Sequence, residues 1–243
     1  MSSRFRARAA GLRSSGMSFL YEERASSSVF VDVVWHTQDT SDGTYLASAD
    51  ARWDLIFTVA AHRHRVLLSG PSTQPTPVPY RTGNRNVGIR FAPGAYFTHV
   101  PVDAMRDRTE QLTMPSPELF LLGGSTWPFP GTDDGLVDAL VESFAHVGLL
   151  ARDDVVEAAL DGGPVPLSPR SVERHFTHAT GMSPRQVRRI ARAREAVARL
   201  QRGEAIADVA HHLGYADQSH LTRELKRLTG YTPGQSQGRD EPV

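Results

Sequence analysis

The chain has no cysteine. That excludes disulfides, thiolate nucleophiles and cysteine-ligated zinc, and it suits a reducing compartment. It has a single lysine, Lys226, so nearly all positive charge rests on arginine. This bias reads as genome composition rather than chemistry. No apolar run approaches the roughly 20 residues of a membrane-spanning helix. Residues 1–16 (MSSRFRARAAGLRSSG) lack the apolar stretch of a secretory signal. A disordered leader over 1–17, with Met17 as an alternative start, and a cytoplasmic location with no membrane contact are the expectations.

What the chain does have is a division of charge. The formal net charge is zero, yet residues 164–230 hold 12 basic and 6 acidic side chains, and residues 18–163 hold 10 basic and 19 acidic. A basic half seeks an anion such as DNA, and an acidic half seeks something else. At 243 residues the chain has room for two modest domains.

The first half reads as β-rich. Short alternating or apolar runs at 29–35, 54–59, 65–68 and 87–91 are separated by turn-rich stretches at 41–43, 70–79 and 82–84. Such spacing predicts a small barrel or sandwich. No catalytic constellation stands out. His62 and His64 share one strand face, but the run continues without the carboxylate that a metal-binding pair of this kind requires. Asp54 reads as a cap or a hydrogen-bonded structural residue rather than a pocket carboxylate. Ser69 lacks a nucleophile elbow. Neither a metal nor another cofactor is expected.

Residues 115–134 are rich in Pro, Gly, Ser and Thr and read as the boundary between halves. Helix follows at 135–148, with Leu136, Leu140, Val141 and Phe144 on one face, and again at 153–160. Ser168 and Pro169 open another helix, carrying Val172 and Phe176 inward and Arg170, Glu173 and Arg174 outward. Ser183-Pro184 open a long helix to Arg202, with Arg185, Arg188 and Arg192 on a solvated or phosphate-facing side.

Residues 206–233 read IADVAHHLGYADQSHLTRELKRLTGYTP. Ile206, Val209, Ala210 and Leu213 mark a short amphipathic helix, Gly214 ends it, and Asp217 caps a second helix with Leu221, Leu225 and Leu228 inward. This is the outline of a helix-turn-helix. The outward face of the second helix offers Gln218, Ser219, Thr222, Arg223, Lys226 and Arg227, able to bond base edges and phosphates.

The run GYADQSHLTRELKRLTGYTP resembles the second helix-turn-helix of the AraC/XylS family of bacterial transcription regulators, through Gly214, Tyr215, Gln218, Ser219, Leu221, Arg223, Lys226, Gly230 and Pro233. Residues 169–181 resemble the recognition helix of that family's first unit. Three segments of the first half, 52–57, 68–71 and 87–94, resemble the N-terminal domain of one subgroup. The resemblance implies an α+β chain: a small cupin-like β-barrel domain over 18–130 that senses an effector or mediates assembly, then a helical DNA-binding domain over 131–234, and a disordered tail over 235–243. Two helix-turn-helix units joined by the long helix would read double-stranded DNA. Gln218, Ser219, Thr222, Arg223 and Lys226 would serve the second unit, Arg170 and Arg174 the first, and Arg188 a phosphate.

One departure stands out. Between Leu160 and Ser168 the chain has only DGGPVPL where the family carries another helix. Either 153–160 is the positioning helix of the first unit, or that helix is missing and the second unit dominates. A small-molecule effector and a homodimer are the further partners this reading allows. The acidic half is expected to fold separately and to dock over the DNA-reading face. The competing reading is a cupin-like enzyme fused to a helical domain.

Overall fold

Alternation of apolar and polar side chains turns the first half into strands. The computed structural model describes residues 19–61 and 63–237. The expected leader at 1–17, His62, and residues 238–243 of the expected tail lie outside the described residues. In chain order come β1 (Phe19–Arg24), β2 (Val31–Asp39), β3 (Gly43–Ala47), β4 (Asp54–Val59), β5 (Arg65–Ser69), β6 (Thr76–Tyr80), β7 (Arg85–Phe91) and β8 (Ala95–Phe97). The one-turn helix α1 (Val102–Met105), β9 (Thr109–Gln111), β10 (Leu119–Leu122), β11 (Ser125–Pro128), α2 (Asp134–His146) and β12 (Leu150–Arg152) follow. The remainder is helical: α3 (Asp154–Leu160), α4 (Pro169–Thr180), α5 (Pro184–Gln201), α6 (Ile206–His212), α7 (Gln218–Thr229) and α8 (Pro233–Gln237). The chain is α+β, with a β-rich part followed by a helical one.

Six strands pair antiparallel in the order β1-β2-β7-β4-β5-β9, while β3 pairs β6, β8 pairs β12 and β10 pairs β11. Leu55 lies opposite Ile89 and Phe57 opposite Val87, so the centre of one sheet face is apolar. It packs on Val137, Leu140, Val141 and Phe144 of α2. The other face carries Tyr21, Trp35, Asp54 and Arg90. Trp35 lies opposite Gly88, and a Cβ on Gly88 would meet its ring at 2.0 Å. Asp54 is neither a cap nor a free pocket acid: it accepts the Trp35 indole N–H at 3.3 Å and lies 3.8 Å from the Arg90 guanidinium.

The stretch expected to separate the halves is part of the first core. Its Pro and Gly residues shape the β10–β11 hairpin, which buries Phe120 and Leu122 and sets Trp127 edge-on against Phe144 at 4.8 Å. The expected division at 130 also put α2 with the helical half, and it packs on the sheet instead. The apolar face of α2 differs by one position from the expectation. Val137, Leu140, Val141 and Phe144 follow the helical repeat inward, and Leu136 is 48 % exposed. Residues 235–237, expected in the tail, continue α8, whose Ser236 is buried.

The changeover between the two cores falls near Asp153, but the cores are not independent. Ala49 and Ala51, from the segment between β3 and β4, lie in the helical core. The Ala49 N–H donates to the Leu228 carbonyl at 2.7 Å, and the Leu46 N–H to the Tyr231 hydroxyl at 3.1 Å. Gly230, at φ +83°, lets Leu46 approach so closely that a Cβ there would lie 2.6 Å from it. Arg106 bonds the Gly181 carbonyl at 2.7 Å, and Arg194 bonds Asp50 at 2.7 Å. The expected separate folding of the first half therefore meets a shared, polar-lined seam.

Candidate nucleic-acid interface

Burial decides how α7 is presented. Leu221, Leu225 and Leu228 are buried with Val209 and Ala210 of α6, with Gly214 turning the chain between them at φ +68°. Asp217 accepts the His220 N–H at 2.6 Å and so starts α7 as expected of a cap. With its inner face fixed, α7 turns Gln218, Ser219, Arg223, Lys226 and Arg227 to solvent, and Thr222 is half-buried. Among the described residues the Arg223 guanidinium has no ion pair. Two side chains of the predicted set are partly committed. The Thr222 hydroxyl donates to the Gln218 carbonyl at 2.8 Å, and the Lys226 ammonium donates to the Gly230 carbonyl at 2.8 Å. Lys226 thus points to the C-terminal end of α7, away from Gln218.

Three contacts fix α7 on its support, and sequence reasoning named none of them. Arg189 of α5 meets both carboxylate oxygens of Glu224 on α7 at 2.7–3.0 Å. This bond raises the Arg189 pKa and lowers that of Glu224, hydrogen bonding being the largest cause in each. Arg192 lies 4.5 Å over the ring of Tyr215, in the turn before α7. The Tyr215 ring in turn stands edge-on to His220 at 5.3 Å. Only the acid–base spacing across two helices could have signalled the clamp, and that spacing is invisible along the chain.

α5 begins with a capping box of Ser183 and Gln186 and buries Val187, Ile190, Ala193, Ala196, Val197 and Leu200. At 1.5 Å per residue its 18 residues span about 27 Å. Arg185 and Arg188 are exposed along it.

The first unit is complete in outline. Val156 of α3 is buried in the same core as Phe176 of α4, and the α3 cap Asp153 pairs with His175 of α4 at 2.7 Å. α3 therefore packs on α4, in the place expected of a positioning helix. The connection from α3 to α4, residues 161–168, is longer than the α6–α7 turn. Ser168 accepts the Ser171 N–H at 3.2 Å and starts α4. Arg170, Glu173, Arg174 and Thr177 are exposed, like the outward side chains of α7. The α4 side chains line a cleft of about 790 Å³ whose other wall is residues 96–103 of the β-rich part.

The remaining candidates have structural partners. His64 stacks on Phe129 at 4.6 Å and bonds the Pro117 carbonyl. The Ser69 hydroxyl bonds that of Thr109 at 3.0 Å. Among the described residues no group of three or more His, Asp or Glu is arranged to hold a metal ion, and no helix is long and apolar enough to cross a membrane.

Two helix pairs on one long linking helix, each with an outward arginine-bearing face, define a helix-turn-helix DNA-binding domain. Residues 165–239, from just before α4 through α8, match the family described as "Helix-turn-helix domain". This C-terminal domain is of the AraC type. No curated protein matches the chain. Among solved structures, ToxT from Vibrio cholerae is similar at 10% identity over 92% of this chain and 100% of that one, with a TM-score of 0.44. ToxT from Vibrio cholerae O395 gives 10% identity, 93% and 99% coverage, and a TM-score of 0.43. A third ToxT structure, bound to (E)-4-(8-methylnaphthalen-1-yl)but-3-enoic acid, gives 11% identity, 89% and 97% coverage, and a TM-score of 0.38. Superposition at this level assigns nothing to the present chain.

Proposed function

We propose that this chain is a sequence-specific DNA-binding transcription regulator whose second helix-turn-helix dominates major-groove reading, because the α4 face lines a cleft against the β-rich part while the α7 face does not. The observation that carries the reading is the α7 face. Its inner side is locked by Leu221, Leu225 and the Arg189–Glu224 clamp, and its outer side holds exposed Gln218, Ser219 and Arg223, the last without an ion pair among the described residues. In this reading Arg223 forks onto a guanine edge, Gln218 pairs with adenine, and Ser219 and Thr222 support them. Arg188 and Lys226 meet phosphates and set register without reading sequence. Arg170 and Arg174 of α4 read the adjacent major-groove segment, about one helical turn away.

The acidic, β-rich part serves as a cupin-like domain that senses a small effector or mediates assembly, a homodimer being the form of assembly the reading favours. Its place of action is the cytoplasm, and its chemistry is binding rather than catalysis. Selection of DNA from a randomised library by the full chain tests this. The expected result is one sharp base preference that weakens in Arg223→Ala. Recovery of random sequence by the native chain would refute the reading.

A further inference from the structure

α4 does not stand as free as α7. The cleft along its outward face narrows toward its C-terminal end, where the rings of Tyr96 and His178 lie 4.8 Å apart and Arg106 bonds the Gly181 carbonyl. A base-reading helix sits in a groove about 12 Å wide with a phosphate wall on either flank. On one flank of α4 a protein wall already stands. That wall presents the Asp103 carboxylate, and the nearby Arg106 guanidinium is occupied by Asp103 at 3.0 Å and by Gly181. It offers phosphate no welcome.

A buried carboxylate ties the β-rich part to α5. Asp50, 9 % exposed, accepts from Arg194 of α5 at 2.7 Å, with Arg90 at 3.4 Å and Arg52 at 3.8 Å. Burial pushes its carboxyl up, but the three guanidiniums outweigh burial and hold it below the usual carboxylate range. Burial draws Arg194 down to about 10, which leaves it charged near neutrality. Removing either partner of so buried a pair leaves the other charge uncompensated. The same seam contains the Ala49–Leu228 and Leu46–Tyr231 bonds, so one contact region grips α5 and the end of α7 together.

We infer that Asp50 and Arg194 form a latch holding the β-rich part across α4, so that the closed form reads DNA through α7 alone. α4 enters the neighbouring groove segment only when the pair parts. The inference rests on the proposal that α4 and α7 are reading helices. Apparent affinity for a two-segment site then scales with the fraction of open molecules.

The test uses the full-length chain with the variants Asp50→Asn and Arg106→Ala. The second acts at the surface and leaves the buried cluster intact. Because the chain has no cysteine, spin labels can be placed on cysteines introduced at the exposed positions Glu110 and Ala207. The DNA is a duplex selected by the native chain, flanked by random sequence. The native chain is expected to protect one segment from hydroxyl radicals. Asp50→Asn is expected to protect a second segment, to bind about tenfold tighter, and to show a longer label-to-label distance. Arg106→Ala shifts all three the same way by less, and it decides the matter should Asp50→Asn fail to fold. Two protected segments on the native chain with no change in label distance overturn the latch. So do variants whose footprint and distance match the native chain. Absence of protection in all three proteins overturns instead the assignment of the reading helices, and an unchanged label distance in the free variants still overturns the latch.

Discussion

The Arg189–Glu224 clamp allows a prediction with a worked magnitude. The Glu224 side chain is 14 % exposed and that of Arg189 27 %, with bonds of 2.7–3.0 Å to both carboxylate oxygens. Exposed ion pairs contribute about 0.2–1 kcal/mol. Charge-assisted hydrogen bonds reach about 1.5–3 kcal/mol when the charge is sequestered. The clamp lies between these limits, so a cycle of Arg189→Met, Glu224→Gln and the double variant, measured by urea unfolding, should give a coupling of about 1–2 kcal/mol. The two single variants should differ on DNA. Arg189→Met strands a carboxylate beside the face proposed to meet phosphates and should weaken binding roughly tenfold, about 1.4 kcal/mol. Glu224→Gln removes the charge along with the clamp and should weaken binding far less. A coupling under about 0.3 kcal/mol, or equal losses on DNA, would show that the clamp does not hold α7 in its reading pose.

Arg223→Ala should lower affinity for the selected site by about 1–3 kcal/mol and relax one base position, with Arg174→Ala costing less specificity. Arg188→Ala should weaken all sequences alike and flatten the salt dependence, which a salt titration on random DNA would reveal. A fragment of residues 153–243 should be monomeric and helical by size-exclusion and circular dichroism. One beginning at 131 should aggregate, because it carries Val137, Leu140, Val141 and Phe144 stripped of the sheet, each about 1.5–3 kcal/mol of lost burial; equal behaviour would contradict the placement of α2. Acid should act in two steps. Burial raises the Asp54 carboxyl, so its protonation adds stability as pH falls through its folded value toward the unfolded one. Asp50 is held low, so its contribution is full above the unfolded value near ~3.9 and is lost as pH falls through its lower folded value. Unfolding of Asp54→Asn should lack the first step and that of Asp50→Asn the second; a profile unchanged by either would refute both assignments.

Much of the helical part was legible in the chain itself because its signals are local. Ser168, Ser183 and Asp217 cap helices at the positions where they stand in sequence, and Gly214 ends α6 at a turn that needs positive φ. The spacing of Leu221, Leu225 and Leu228 announced the buried side of α7, and so also its exposed side. Strands β4, β5 and β7 were legible for the same reason, through side-chain alternation.

Composition misled where a local cue admits two structures. Pro and Gly between 115 and 134 fit a linker or a hairpin, and only Phe120, Leu122 and Trp127 finding Phe144 decided for the hairpin. An amphipathic helix such as α2 declares that it will be buried, never against what, and the free sheet face of Leu55, Phe57 and Ile89 settled that. The same holds for charge. Asp50 and Arg194 are 144 residues apart, and their burial in one pair depends on which surfaces meet. Helix ends, strand alternation and the reading face follow from neighbours within a few residues. The seam, the clamp and the cleft along α4 depend on which distant segments packing brings together, and desolvated charges there must find partners across the chain.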